Sequence, residues 1–318
     1  MILPDKVNMF YLAKPVYGGW VTGTAHLMHT INQKIVYKVS KKLETKVRPF
    51  GYGIYYQNVP PEALSELPNV CVQVLDRHHY KYFKYFNKPI LILHDTIEVD
   101  YFKKHPDILE VLQNCKRIIT IRQKITDYLK QILGFDSEYL YHPFYKFPLP
   151  ELKGEKKGSV ATSRIDWDKH TDIILQANKL LPNELTTDIW GAENRLYSFH
   201  KLKEYNFDKY YRGPYEKSFE QIGKILMPKK FMVDLTIIKN DGGGTQWSFL
   251  EAMHAGCCLI LHKKWLGNGG DFIHEKNCFG IETPEELAKI LKDNPDVSDL
   301  VKNAKKLVER NSKVDYGF

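Results

Sequence analysis

Apolar residues along the chain gather in short, nearly unbroken runs separated by longer segments with a helical repeat. The runs at 7–13 (VNMFYLA), 70–75 (VCVQVL), 89–95 (PILILHD) and 117–121 (RIITI) have the length of strands. Between them, stretches such as 101–115 (YFKKHPDILEVLQNC) and 124–135 (KITDYLKQILGF) repeat their apolar positions at helical spacing. Apolar strands alternating with helices predict a parallel sheet covered on both faces, and so an α/β protein.

The alternation stops at 147–158 (FPLPELKGEKKG), which is rich in Pro, Lys and Gly, and then restarts. Apolar runs near 159–164, 186–191, 231–238 and 257–262 now alternate with helical patterns at 170–181, 216–227, 286–294 and 297–311. Two doubly wound domains follow, 1–150 and 151–318, both Rossmann-like. Two such domains facing each other leave a cleft at the carboxyl ends of both sheets, where α/β proteins bind ligands.

Glycine punctuates two places that this cleft would include. In 17–33 (YGGWVTGTAHLMHTINQ), Gly18 and Gly19 stand between strand and helix. They either let the backbone approach an anion held by free helix N–H groups, or form an ordinary turn. In 241–261 (DGGGTQWSFLEAMHAGCCLIL), Gly242, Gly243 and Gly244 precede a helix expected over 245–255 and would present N–H groups to phosphate or sugar oxygens. Glu251 interrupts the apolar face of that helix. A carboxylate there can accept hydrogen bonds from both hydroxyls of a ribose, or it can be satisfied by a neighbouring Lys or amide.

A third segment, 160–174 (VATSRIDWDKHTDII), puts Arg164 at a strand end and Lys169 just before a helix. Two cations on one loop suit a diphosphate and its developing leaving-group charge; the alternative is a solvated charged loop.

Composition adds an asymmetry. The net charge is +8, with 20 Lys/Arg against 13 Asp/Glu in residues 1–150 and 26 against 25 thereafter. The basic first half suits an anionic partner such as nucleic acid, an acidic glycan or a membrane surface, or else it is a solvated lysine-rich face. Segment 78–88 (HHYKYFKYFNK) interleaves Lys81, Lys84 and Lys88 with aromatic rings. That mixture fits phosphate contact with base stacking, or a helix that buries its rings and turns its lysines out. No apolar run reaches the roughly 18 residues of a membrane span, and Asp5 and Lys6 interrupt any leader-like stretch, so a cytoplasmic protein is expected. The five cysteines lack metal-ligand spacing; reduced packing residues and no metal site are expected.

Arg164 and Lys169 at a spacing of five, followed by the glycine-rich segment leading into SFLEAMHAGCCLIL, resemble the donor-binding half of the large retaining glycosyltransferase group typified by glycogen and sucrose synthases. The turn at Gly18 and Gly19 and the His94-Asp95 pair after an apolar run match that group's first half. The resemblance implies a GT-B fold, a nucleotide-sugar donor with UDP favoured, no required cofactor and no metal. It further implies that Arg164 and Lys169 bind the diphosphate, Glu251 the ribose, and Gly243, Gly244 and Thr245 sugar and phosphate. Gly18 and Gly19 would approach from the other domain, and His94 would contact the transferred sugar. The group carries a second glutamate eight residues before the one matched by Glu251; here that position is Gly243, with Asp241 nearby as a substitute. By length, element order and its L-E-x-x-x-x-G segment the chain also resembles phage α-glucosyltransferases that act on hydroxymethylcytosine in DNA. That likeness implies a virus-encoded enzyme with a double-stranded DNA acceptor. The competing expectations are a transferase for a surface polysaccharide or lipid-linked glycan, marked by exposed Trp, Phe or Leu beside Lys, and a non-catalytic DNA- or sugar-nucleotide-binding module.

Overall fold

The computed structural model describes residues 6–14, 18–41, 46–237, 244–267 and 271–318. Among them the first half builds one sheet from β1 (Asn8–Leu12), β2 (Ile35–Val39), β3 (Arg48–Gly51), β4 (Ile54–Val59), β5 (Val70–Leu75), β6 (Ile90–Leu93), β7 (Arg117–Thr120) and β8 (Glu138–Tyr139). The spatial order is β3-β4-β2-β1-β5-β6-β7-β8, parallel except for the β3–β4 hairpin. The second half builds a parallel sheet from β9 (Ser159–Ala161), β10 (Thr187–Ile189), β11 (Phe231–Asp234), β12 (Cys258–His262) and β13 (Cys278–Ile281), in the order β10-β9-β11-β12-β13. The two doubly wound sheets expected from the alternating runs are therefore present.

Local chemistry explains most element ends. Asp95 caps the helix Thr96–Lys103 by accepting from the N–H groups of Ile97 and Glu98, while the Glu98 carboxylate returns to the cap. That capping box orders the chain directly after β6. The single helix expected over 101–115 is two: Thr96–Lys103, and Pro106–Gln113. Pro106 pushes His105 out of the helical region, and proline then serves as the first residue of the next helix.

The described part of the lysine-rich stretch 32–48 contributes to the first sheet. Its apolar residues form β2, with Val36, Tyr37 and Val39 buried.

A continuous buried cluster joins the halves, running from Met9 and Ile92 in the first sheet through Trp247 and Phe249 to Leu259 in the second. The carboxyl-terminal segment returns to the first sheet: the Asn311 amide donates to the carbonyl of His142 at 2.8 Å, and Arg117 donates to the carbonyl of Tyr316 at 2.5 Å. No helix among the described residues is long and apolar enough to cross a membrane.

Candidate active site

A cleft of about 500 Å³ opens between the two sheets. Its walls come from the carboxyl ends of strands: His94 after β6, Ile121 and Arg122 after β7, Thr162 to Arg164 after β9, and Gly191 and Ala192 after β10. Gly18, Gly19, Lys169 and Glu251 line it as well. Residues that lie far apart in sequence are thus gathered where doubly wound sheets bind ligands.

The cation wall depends on close backbone packing. A Cβ on Gly191, whose φ is +148°, would fall 2.2 Å from the carbonyl oxygen of Ser163. Only glycine lets the chain leaving β10 pass beside the chain leaving β9. Asp166 caps the next turn, accepting from the N–H of Trp167 and the amide of Asn194, both at 2.9 Å. Arg164 projects from this loop with its side chain 48% exposed, paired to Asp166 at 3.3 Å and to Asp168 at 3.1 Å. The Lys169 side chain is only 11% exposed; its ammonium donates to Thr236 Oγ1 at 2.8 Å, and Thr236 in turn donates to Asp234 at the end of β11. One cation is at the rim and one is set deep.

The opposite wall is the helix Gly19–Thr30, whose amino end, with Gly18 as its cap, faces the cleft. The helix's second glycine, Gly23, has a separate purpose. A Cβ on Gly23 would lie 2.5 Å from the indole of Trp247, so glycine there lets this helix pack onto the helix Trp247–His254. Three residues after Gly23 and four after Trp247, on the same helix faces, His26 meets Glu251 at 3.4 Å. The N–H of Tyr145 donates to His26 Nδ1 at 3.1 Å, which leaves the ring proton on Nε2 to be donated to the Glu251 carboxyl. Burial holds the His26 imidazole well below its ordinary pKa, and burial pushes Glu251 up to about 8. Glu251 is therefore an enclosed carboxyl with a donor behind it.

His94 is 5% exposed, and its pKa is lowered to about 4 by burial. Its Nε2 donates to the carbonyl oxygen of Gln73 on β5 at 2.7 Å, so Nδ1 is the unprotonated nitrogen. Neutral and fixed, it can accept a hydrogen bond but cannot act as a cation at neutral pH.

The remaining sequence candidates divide. Gly244 adopts φ +74° beside Arg122 and His142, and Thr245 is buried at 1% exposure; neither lines the cleft. Asp241 and Gly243 lie outside the described residues. Lys81, Lys84 and Lys88 do not line the cleft either. In their segment Tyr80, Phe83 and Phe86 are core residues, and Lys81 and Lys84 lie over the rings of Tyr82 and Tyr85. The segment divides its rings: Tyr80, Phe83 and Phe86 gain burial in the core, while Tyr82 is half-buried and Tyr85 is exposed beside the lysines.

Several lining residues escaped the sequence: Tyr52, His142, Tyr215, Lys217 and Trp247. Tyr52, at the β3–β4 turn, donates its N–H to the carbonyl of Lys217 at 2.5 Å, across the two halves. Nothing in the local pattern of these residues distinguishes them from packing positions. His26 had one weak signal, an imidazole among small and apolar residues of a helix. Among the described residues no cluster of His, Cys, Asp or Glu could hold a metal ion.

No protein-family model matches the chain, and no curated protein does. Solved structures do. HepE from Anabaena, crystallised with UDP and glucose, superposes with a TM-score of 0.68 at 12% identity, over 97% of this chain and 95% of that one. A sucrose-phosphate synthase from Thermosynechococcus elongatus gives a TM-score of 0.63 at 13% identity, over 96% and 94%. The pneumococcal O-GlcNAc transferase GtfA, crystallised with UDP and GlcNAc, gives 0.54 at 13% identity, over 76% of this chain and 53% of that one. These neighbours are GT-B glycosyltransferases, and this chain has the same architecture: two Rossmann-like α/β domains facing across a cleft, the GT-B fold.

Proposed function

We propose that the protein is a glycosyltransferase using a nucleotide-sugar donor, with UDP as the nucleotide. One observation carries this reading: Arg164, Lys169 and Glu251 of the second half line a single cleft with Gly18, Gly19 and His94 of the first. Arg164 and Lys169 neutralise the diphosphate, and Glu251 accepts from the ribose hydroxyls. The helix amino end at Gly18 and Gly19 approaches the phosphates from the other side, and His94 Nδ1 accepts from a hydroxyl of the transferred sugar. HepE has been crystallised with UDP-glucose, and the full-length match of the two folds supports the same donor class here.

The reaction is read as retaining. The bond from the anomeric carbon to the diphosphate breaks, the acceptor oxygen bonds to the same face, and the acceptor proton passes to the departing phosphate oxygen. The two cations stabilise the leaving charge. Domains divided near residue 150 belong to the same reading, the first meeting the acceptor and the second the donor.

For the acceptor, one observation favours a glycan at an anionic lipid surface over a hydroxymethylpyrimidine in DNA. The Lys-aromatic segment 78–88 buries Tyr80, Phe83 and Phe86 and leaves Tyr85 as its one large ring well exposed, at 46%, which reduces the stacking surface on which the DNA reading leaned. By contrast Leu196 and Phe199 are 67% and 62% exposed beside Arg195, Lys201 and Lys203, a patch on the donor-side half that would hold the protein at a surface and not the acceptor itself. Exposed apolar residues among cations are the feature expected of a transferase working on a membrane.

The test incubates the protein with a panel of nucleotide sugars and three acceptors: hydroxymethylcytosine DNA, plain DNA, and lipid-linked glycan in anionic vesicles. Mass spectrometry of the products is expected to show a sugar added to the glycan. A sugar on the modified base would establish the DNA acceptor instead, and binding of a donor or of DNA with no donor consumed would leave a non-catalytic module.

A further inference from the structure

His142 follows β8, outside every segment marked by the sequence pattern, and it is 1% exposed while lining the cleft. Its backbone is fixed by the Asn311 amide, and its ring lies 4.5 Å from Trp247 at 61°. Its Nε2 has no hydrogen-bond partner among the described residues. Buried polar atoms are almost always paired, so an orphan on a cleft wall marks a place where a ligand atom completes the set.

Two neighbours point to the ligand. The chain at Gly244 closes one side of the ring, where a Cβ would lie 4.0 Å from His142 Cε1. His94, 6.1 Å from the same Trp247, presents its own unpartnered Nδ1. Two neutral imidazoles beside one indole ring offer hydrogen bonds to groups that both donate and accept, together with an apolar face for C–H atoms. That is the chemistry of a pyranose, not of a phosphate, which the cations across the cleft serve.

We infer that His142 is a specificity-determining residue that holds a hydroxyl of the donor's sugar, an inference that rests on the nucleotide-sugar reading above. The experiment measures binding of UDP and of a panel of UDP-hexoses to wild type by calorimetry, selects the hexose that binds more tightly than UDP, and repeats the titrations with its monodeoxy analogues. His142→Phe keeps the ring packed against Trp247 and removes both nitrogens; His142→Gln restores a polar group.

The expected result is unchanged UDP affinity in His142→Phe, about tenfold weaker binding of the sugar nucleotide, and no further loss for one monodeoxy analogue that wild type discriminates against. Partial recovery is expected in His142→Gln. Equal discrimination in wild type and His142→Phe would overturn the inference, as would equal weakening of UDP and UDP-hexose, or a wild type in which no hexose adds to UDP affinity. Absence of UDP binding to wild type would instead refute the donor reading itself.

Discussion

His26 and Glu251 stand 225 residues apart in sequence and 3.4 Å apart in the fold, with the imidazole Nε2–H donated to the carboxyl. The direction of that bond is set by Tyr145, whose N–H occupies the other ring nitrogen. Each residue comes from one half of the molecule, so the carboxyl proposed to hold the ribose is oriented by the opposite domain. Replacing His26 by Phe keeps the ring among Phe144, Phe147 and Phe219 and removes the donor. UDP affinity is expected to fall about tenfold by calorimetry, and the pH midpoint of binding to move upward. A loss of thermal stability with unchanged affinity and midpoint would show that the contact is only structural.

Burial raises the Glu251 pKa to about 8, so the ligand-free carboxyl is protonated at neutral pH. Ribose hydroxyls are bound best by the carboxylate, so UDP affinity should rise with pH up to about 8 and then level off, with a proton released on binding at pH 7. The stability of the free protein runs the other way. The folded state holds a proton that the unfolded state has lost, so this contribution is complete below the ordinary carboxylate range and disappears as pH rises through about 8. Glu251→Gln should flatten both dependences. Calorimetry in buffers of different ionisation enthalpy, with thermal melts across the same range, checks each sign.

Arg164 and Lys169 differ in setting, one exposed and paired to Asp166 and Asp168, the other enclosed above Thr236. Alanine at either position is expected to lower turnover roughly a hundredfold to a thousandfold if leaving-group charge is stabilised there. Steady-state rates with the best donor of the panel measure this, and turnover near the wild-type level in both variants would remove them from the reaction.

Gly23 is held to glycine by the neighbouring helix, since a Cβ would sit 2.5 Å from the Trp247 ring. Gly23→Ala must push the two helices apart or tilt the indole. Destabilisation of about 1–3 kcal/mol is expected in chemical denaturation. Because Trp247 and Glu251 share that helix, nucleotide affinity should fall in parallel, whereas Gly154→Ala, strained by its φ of +87° but with nothing within 4 Å of its Cβ, should cost stability and leave affinity unchanged.

The sequence by itself determined the class of fold and part of the site. Unbroken apolar runs at strand length can be satisfied only by a sheet buried on both faces, and glycines or cations directly after such runs fall at the carboxyl ends of strands. Gly18, Gly19 and Arg164 were legible as cleft-lining positions for that reason, His94 by following an apolar run, Lys169 by preceding a helix on the same loop, and Glu251 as an acid in a helix's apolar face. Tertiary structure decided what those positions face. The aromatic-lysine segment 78–88 reads as a binding surface or as a turn that buries its rings, and only packing against the first sheet decided that Tyr80, Phe83 and Phe86 are buried while Tyr85 stays exposed. His26, His142, Tyr52 and Trp247 acquire their surroundings from contacts 30 or more residues away, and a local pattern carries no record of such contacts. Neighbouring residues report the period and ends of an element; which side chain meets which across a cleft is settled only when two separate sheets pack together.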